Sequence, residues 1–244
     1  MSDEPICTLV ITTHNRMDAL FRLISIINSW SIKGLEIIVI DDRIDSKCYS
    51  QIGSILTARY IWAPGIKGPA ESRNIGILLA RGRRIIFLDD DDFISREWLE
   101  FNLKELPEGL IFSDYIRVQD GKKYKVDLSG VNKKSQMVTN RIPVGAFSLS
   151  LSFARNIKFD VDLKSHEDWD FLLSVQQSAR LIYVKGMLST LINISNNGRN
   201  INSSINHFED FKLIYTKYKS TALDVSAARR NLMFRLFSKR NYQN

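Results

Sequence analysis

An α/β fold built on a mostly parallel sheet, with helices on both faces, is what residues 6–92 predict. Three observations lead there. Short apolar runs rich in β-branched residues alternate with segments whose apolar residues recur at helical spacing. The connections between them are short, so consecutive strands return in the same direction through covering helices. Two of the apolar runs close on carboxylates, Asp41-Asp42 and Asp89-Asp90-Asp91-Asp92, which puts both acidic groups on the sheet edge where open α/β sheets bind ligands.

Each element has its own justification. Residues 6–12, Ile-Cys-Thr-Leu-Val-Ile-Thr, read as a first buried strand, and Thr13-His14-Asn15-Arg16 as its polar turn. From Met17 to Trp30, Leu20, Leu23, Ile24 and Ile27 mark one helical face, and Gly34 follows its end. Glu36–Ile40 is a second strand, 46–56 a further helix, and Arg59–Trp62 a third strand. Pro69 suits the first turn of a helix running to Ala80, with Gly82 beyond it. Residues 84–88 form the strand that ends in four acids. Ser95 is placed to cap the helix begun by Arg96-Glu97-Trp98-Leu99. Four adjacent carboxylates repel one another, and hard divalent ions such as Mg²⁺ or Mn²⁺ take oxygen ligands of this kind. An acidic turn that only caps the next helix is the alternative.

The second half is more mixed. Leu110–Phe112 reads as a strand, and Tyr115–Gln119 with Lys122–Val126 as a hairpin around Asp120-Gly121, the chemistry of a type I′ turn. Residues 128–142 are polar without a clear period and are expected to be a loop, while Val144–Phe153 alternates apolar and small polar residues. Glu167 and Asp168 fall in the first turn of a helix whose apolar face is Trp169, Leu172, Leu173 and Val175. Leu181–Val184 is a late strand, and 193–204, centred on Asn196-Asn197-Gly198, a long polar loop.

Composition narrows the class. The chain has 244 residues, 44% of them hydrophobic, with two cysteines and three histidines. This is enough for one sizeable core, without a disulfide framework or zinc spacing. No apolar run reaches the length of a membrane span, and the N-terminal residues are acidic, so a cytoplasmic location is expected. The formal charge is +7, and residues 212–244 hold eight Lys or Arg against Asp224 alone, so the remainder balances to zero. Such confinement points to a local anionic partner. Within it, 223–239 is a basic, moderately amphipathic segment suited to peripheral contact with the inner face of a membrane, or to docking on the domain as a helix with a solvated basic face. Aromatic residues are not interleaved as a nucleic-acid platform would need. The glycine fingerprints of dinucleotide binding and of the phosphate loop are both absent.

Five pieces, taken in order, resemble the family 2 glycosyltransferases of the GT-A, or nucleotide-diphospho-sugar transferase, fold. They are the first strand with Thr12-Thr13-His14-Asn15-Arg16, the strand ending in Asp41-Asp42, the segment Gly68-Pro69-Ala70-Glu71-Ser72-Arg73-Asn74-Ile75-Gly76, the strand ending in Asp89 to Asp92, and Phe159-Asp160 leading to Glu167-Asp168. The resemblance covers about residues 5–200 and implies a domain over 1–205, with a nucleotide-binding half (1–92), an acceptor half (93–205), and a basic helical tail over 206–244. It implies that Thr12, His14, Asn15, Arg16, Asp41, Arg73, Asp89 and Asp90 surround the donor nucleotide. Asp89 and Asp91 would hold Mn²⁺ or Mg²⁺, and Asp168, or Glu167, would be the general base of an inverting transfer. The implied partners are a nucleotide-sugar donor, a UDP-sugar above all, and a glycan or lipid-linked acceptor of surface polysaccharide synthesis. Arg43-Ile44 departs from the Gly-Ser that often follows the second strand in this family, and Asp90 from the usual small residue between the metal-site acids. His166 beside the base and His207 after the polar loop are further candidates, for tuning and for metal coordination. A sugar-phosphate nucleotidyltransferase would carry a glycine-rich loop where Thr-Thr-His-Asn-Arg stands. A binding module that kept the fold without the chemistry is the other alternative.

Overall fold

The computed structural model describes residues 4–43, 58–66, 68–194 and 202–218, with backbone alone at 194 and 202–208. The helix expected over 46–56, Cys48, the centre of the 193–204 loop and the tail beyond 218 lie outside the described residues.

The strands are β1 (Cys7–Thr13), β2 (Leu35–Asp41), β3 (Arg59–Trp62), β4 (Arg84–Asp89), β5 (Phe93–Ile94), β6 (Leu110–Gln119), β7 (Lys122–Val126), β8 (Phe147–Ser150) and β9 (Leu181–Ile194). They form one sheet in the order β3-β2-β1-β4-β8-β6-β9-β5, with β7 added to β6. The β3-β2-β1-β4 half is parallel. Beyond it β8 runs antiparallel to both β4 and β6, and β6 runs parallel to β9.

Helices cover both faces. Alternate side chains along β1, β2 and β4 explain why. Leu9, Ile11, Ile37, Val39, Ile86 and Leu88 pack on one side against α1 (Met17–Ser29) and against Trp98 and Leu99 of α3 (Arg96–Asn102). Val10, Ile38, Ile40, Ile85 and Phe87 pack on the other side against α2 (Pro69–Leu79) and α6 (Glu167–Ser178). Being buried on both faces, these strands read as continuous apolar runs. Ser95 caps α3 through a bond from the Trp98 N–H to its Oγ.

Three expectations need correction. Leu110–Phe112 and Tyr115–Gln119 are one ten-residue strand, because β8 leaves the side of β6 at Phe112 and β7 takes that side from Tyr115. The late strand runs on to Ile194, with register shifts near Asp114. The polar stretch 128–142 contains α4 (Lys133–Val138), begun by a capping box in which Asn132 accepts from Lys134 N and Ser135 N and Ser135 Oγ accepts from Asn132 N. The short strand β5 is not signalled by the sequence, because its two residues, Phe93 and Ile94, are too few to carry a period. Asp120 (φ 51°) and Gly121 (φ 72°) do adopt the two left-handed positions of a type I′ turn.

After β8 comes α5 (Leu151–Ala154). Last is α7 (Asn202–Tyr218), whose Phe211, Ile214 and Tyr218 are buried against Trp169 and Leu173 of α6. The division expected at residue 205 lies within this helix.

Candidate active site

The parallel register brings the sequence-predicted acids to one edge. Thr12 pairs with Asp89 across β1 and β4, and Thr13 with Asp41 across β1 and β2. Thr12 Oγ1 donates to Asp89 Oδ1 (2.9 Å), and Thr13 Oγ1 to Asp90 Oδ2 (2.6 Å).

The turn after β1 faces the same acids. Arg16 Nη1 lies 3.0 Å from Asp90 Oδ1 and 2.5 Å from Asp91 Oδ2. Burial would lower the affinity of Arg16 for its proton, but Asp90 and Asp91 outweigh it and hold the guanidinium above its ordinary value. For Asp90, burial dominates and raises the carboxyl. Thr13 and Arg16 oppose the rise, and the charges of Asp91 and Asp89 add to it. His14 is exposed and pairs through Nδ1 with Asp42 Oδ1 (2.5 Å), while Asn15 Nδ2 lies 3.2 Å from His14 Nε2. Asp92 is turned inward, accepting from the backbone N–H of Asn193 (3.0 Å).

Asp41 is fully buried. Its Oδ1 accepts from Arg43 N (3.0 Å), and its Oδ2 pairs with Arg43 Nη2 (2.6 Å) and accepts from the Tyr60 hydroxyl. The departure at Arg43 therefore has a structural consequence: the guanidinium occupies the carboxylate that the resemblance assigns to the nucleotide.

Arg73 joins the two halves of the site. Carried on α2 and 2% exposed, it donates through Nη2 to Asp89 Oδ1 (2.9 Å) and through Nη1 to Glu167 Oε1 (2.7 Å). Burial alone would depress it, yet Asp89 and Glu167 hold it well above the ordinary arginine range. One guanidinium thus ties the end of β4 to the start of α6.

Beside Glu167, Asp168 accepts from its neighbour's backbone N–H, Trp169 N, at Oδ1 (2.8 Å) and from Asn140 Nδ2 at Oδ2 (2.8 Å). Its carboxyl is hemmed in by protein atoms although the residue keeps some surface open. That burial, then the charge of Glu167, pushes its carboxyl up to about 6, against the pull of Arg73 and of the two N–H donors. His166 begins the helix in a left-handed conformation (φ 61°) with its ring edge-on to Trp169. The His207 side chain lies outside the described atoms. Among the described residues no three His, Cys, Asp or Glu side chains form a ready-made metal cage.

Asn140 and Gln136 were not singled out in the sequence. The signal that could have found them is Asn132-Lys133-Lys134-Ser135, a capping-box start that places Gln136 on a helix.

A half-parallel, half-mixed sheet whose strand ends collect carboxylates and arginines is the GT-A architecture. Residues 8–144 match glycosyl transferase family 2, and the chain belongs to that family. Among its relatives is the UDP-Glc:alpha-D-GlcNAc-diphosphoundecaprenol beta-1,3-glucosyltransferase WfaP of Escherichia coli, 32% identical over 88 residues, 35% of each chain. Matches to curated relatives span from 19% to 69% of those proteins' own length. Among solved structures, S. aureus TarS 1-349 in complex with UDP-GlcNAc superposes with a TM-score of 0.71 at 19% identity, covering 96% of this chain and 73% of that one. The mannosyltransferase PcManGT from Pyrobaculum calidifontis, in complex with GDP-Man and Mn2+, does so at 0.64 and 14%, covering 94% and 68%. These structural likenesses establish the fold.

Proposed function

We propose that this glycosyltransferase moves a sugar from a nucleotide-diphospho-sugar, a UDP-sugar, to a hydroxyl of a glycan or lipid-linked oligosaccharide during surface polysaccharide synthesis, with inversion at the anomeric carbon. The observation that carries the proposal is Arg73, whose single guanidinium spans from Asp89 to Glu167, next to Asp168. It keeps a carboxylate fit to accept a proton close to the acidic edge where a diphosphate would be held. The UDP-GlcNAc bound to TarS and the UDP-Glc in the name of WfaP favour a uridine donor, and the diphosphoundecaprenol in that name favours a lipid-linked acceptor.

In the transfer, the acceptor oxygen forms a bond to the anomeric carbon on the face opposite the diphosphate. The carbon–oxygen bond to the diphosphate breaks, and its electron pair leaves with the nucleoside diphosphate. The acceptor proton passes to Asp168. A carboxyl raised to about 6 is ionised near neutrality yet basic enough to share that proton in the transition state. Glu167, paired with Arg73, sets the charge beside it.

The donor set at the strand ends fits a hard divalent ion, because Mg²⁺ and Mn²⁺ bind through one or two carboxylates together with substrate phosphates. Asp91 keeps 40% of its side chain exposed, and its Arg16 partner is itself 52% exposed and able to swing away. Asp89 and Asp91 would hold the ion, which supplies charge stabilisation to the leaving diphosphate. Thr12, His14, Asn15, Arg16 and Asp90 line the nucleotide side. Asp41 would act there through Arg43 and Tyr60, which cover it.

A thermal-shift panel with UDP, GDP, CMP and dTDP, each with and without Mn²⁺, tests the reading. A ligand at 100 times its dissociation constant adds about 2.7 kcal/mol of stability. Stabilisation by UDP that requires Mn²⁺ is expected. Folded protein that answers none of the four nucleotides would overturn the donor assignment.

A further inference from the structure

Asp168 is held from outside its own helix by a chain of amides whose direction is set by the backbone. The Arg141 N–H donates to Gln136 Oε1 (3.0 Å). A main-chain N–H can only donate, so this bond decides which end of the Gln136 amide is oxygen. Gln136 Nε2 must then donate to Asn140 Oδ1 (3.0 Å), which leaves Asn140 Nδ2 to donate to Asp168 Oδ2 (2.8 Å). Turning Asn140 over would set two NH₂ groups face to face at one end and two acceptors face to face at the other. Trp169 Nε1 donates to the Gln136 carbonyl oxygen (2.7 Å), which locks α4 to the helix that carries Asp168. Gln136 is 1% exposed, and an amide so buried is tolerated only when it is hydrogen-bonded.

We propose that Gln136 and Asn140 are positioning residues for Asp168, a relay that fixes the carboxylate's orientation and keeps an N–H pointed at its ionised form. The inference rests on the reading of Asp168 as the base. The charges facing this carboxyl are Glu167 from its own helix, which favours the protonated acid, and Arg73 from α2, which favours the carboxylate. The Asn140 N–H works on the same side as Arg73. It does so without an ion pair that would draw the carboxylate away from an incoming hydroxyl.

The relay can be tested without any substrate. In protein carrying ¹³C-labelled aspartate carboxyls, the Asp168 resonance is assigned by its loss in Asp168→Asn and followed through a pH titration by NMR. Asn140→Leu removes the donor and is expected to raise the midpoint by about one pH unit, tenfold in proton affinity. Gln136→Glu still accepts from the Arg141 N–H but cannot donate. Asn140 then turns its oxygen towards Asp168, and the midpoint rises at least as far. A merely structural role predicts the opposite sign, since loosened packing admits water and lets the midpoint fall towards that of an ordinary carboxylate. Folded Asn140→Leu with a midpoint unchanged or lowered overturns the relay. Should Gln136→Glu fail to fold, Asn140→Leu decides alone, because Asn140 is only partly buried. Sugar transfer that survives in Asp168→Asn would overturn the base while leaving this titration intact, so the two failures are distinguishable.

Discussion

At the residue scale, two carboxylates on the same edge should fail in different ways when neutralised. Asp91→Asn removes one of the proposed metal oxygens, and Mn²⁺-dependent stabilisation by UDP is expected to disappear with it. Asp168→Asn should keep that stabilisation and lose transfer by about 10²–10⁴-fold, the usual worth of a positioned base. Comparing thermal shift with turnover in the two variants checks both expectations. Asp168 also makes a statement about stability. Its folded-state value of about 6 lies above the ordinary aspartate value of 3.8, so the folded protein binds that proton more tightly than the unfolded chain. This group's contribution is therefore most favourable below about pH 4 and is lost as pH rises through about 6. Asp168→Asn should accordingly melt higher than wild type at neutral pH, by a margin that shrinks on acidification. Glu167→Gln removes the neighbouring negative charge and leaves Arg73 less neutralised. Both changes lower the Asp168 midpoint, so the acid limb of the pH–rate profile should move to lower pH.

At the element scale, the position of Arg73 depends on how closely α2 approaches the sheet. Gly76 lies one turn beyond Arg73, and a Cβ there would sit 2.4 Å from Val10 Cγ1 in β1. Gly76→Ala must push the helix outward or force Val10 out of its rotamer, an overpacking cost of about 1–3 kcal/mol. It should also weaken transfer by displacing Arg73. Adding Val10→Ala should recover most of the melting temperature, and a double mutant no more stable than Gly76→Ala would place the strain elsewhere. Elements of this kind were readable where one periodicity dominated. The buried parallel strands, the face of α1 and the Pro69 start of α2 are local signals, and so is the Asp120-Gly121 turn. The fusion of Leu110–Phe112 with Tyr115–Gln119 was not legible, because Ser113 and Asp114 interrupt the apolar pattern. Asp114 is 2% exposed, held by Tyr183 Oη, Leu128 N and Lys125. Only tertiary partners make that carboxylate tolerable inside a strand. In the same way the motif order exposed Asp89 and Asp168, whereas Asn140 became a candidate only when folding closed 28 residues of chain.

At the scale of the whole molecule, the distribution of charge divides the chain more sharply than its packing does. Residues 1–211 are neutral on balance, and the excess of +7 belongs to 212–244. Part of that excess is used inside the fold. Lys217 on α7 lies 2.8 Å from the buried Asp170 and 3.5 Å from Asp160, and Tyr218 is buried beside them. Residues 219–244 carry six Lys or Arg and one Asp. Among the described residues no helix is long and apolar enough to cross a membrane. The basic residues of 219–244 are the proposed point of contact with an anionic membrane surface, through charge. Each basic residue near an anionic surface adds about 1 kcal/mol and loses it over a Debye length. Co-sedimentation with vesicles containing phosphatidylserine should therefore capture the full chain at low salt, release it as salt rises, and fail with neutral vesicles. A chain ending at Tyr218 retains α7 and its contacts with Trp169 and Leu173. It should still be stabilised by UDP and Mn²⁺ while no longer sedimenting. If the shortened chain bound vesicles as well as the full one, the membrane-facing charge would have to lie on the folded domain, whose net charge of +2, against +5 for residues 219–244, argues against it. If it lost the nucleotide response too, the tail would be part of the active fold rather than an anchor for it.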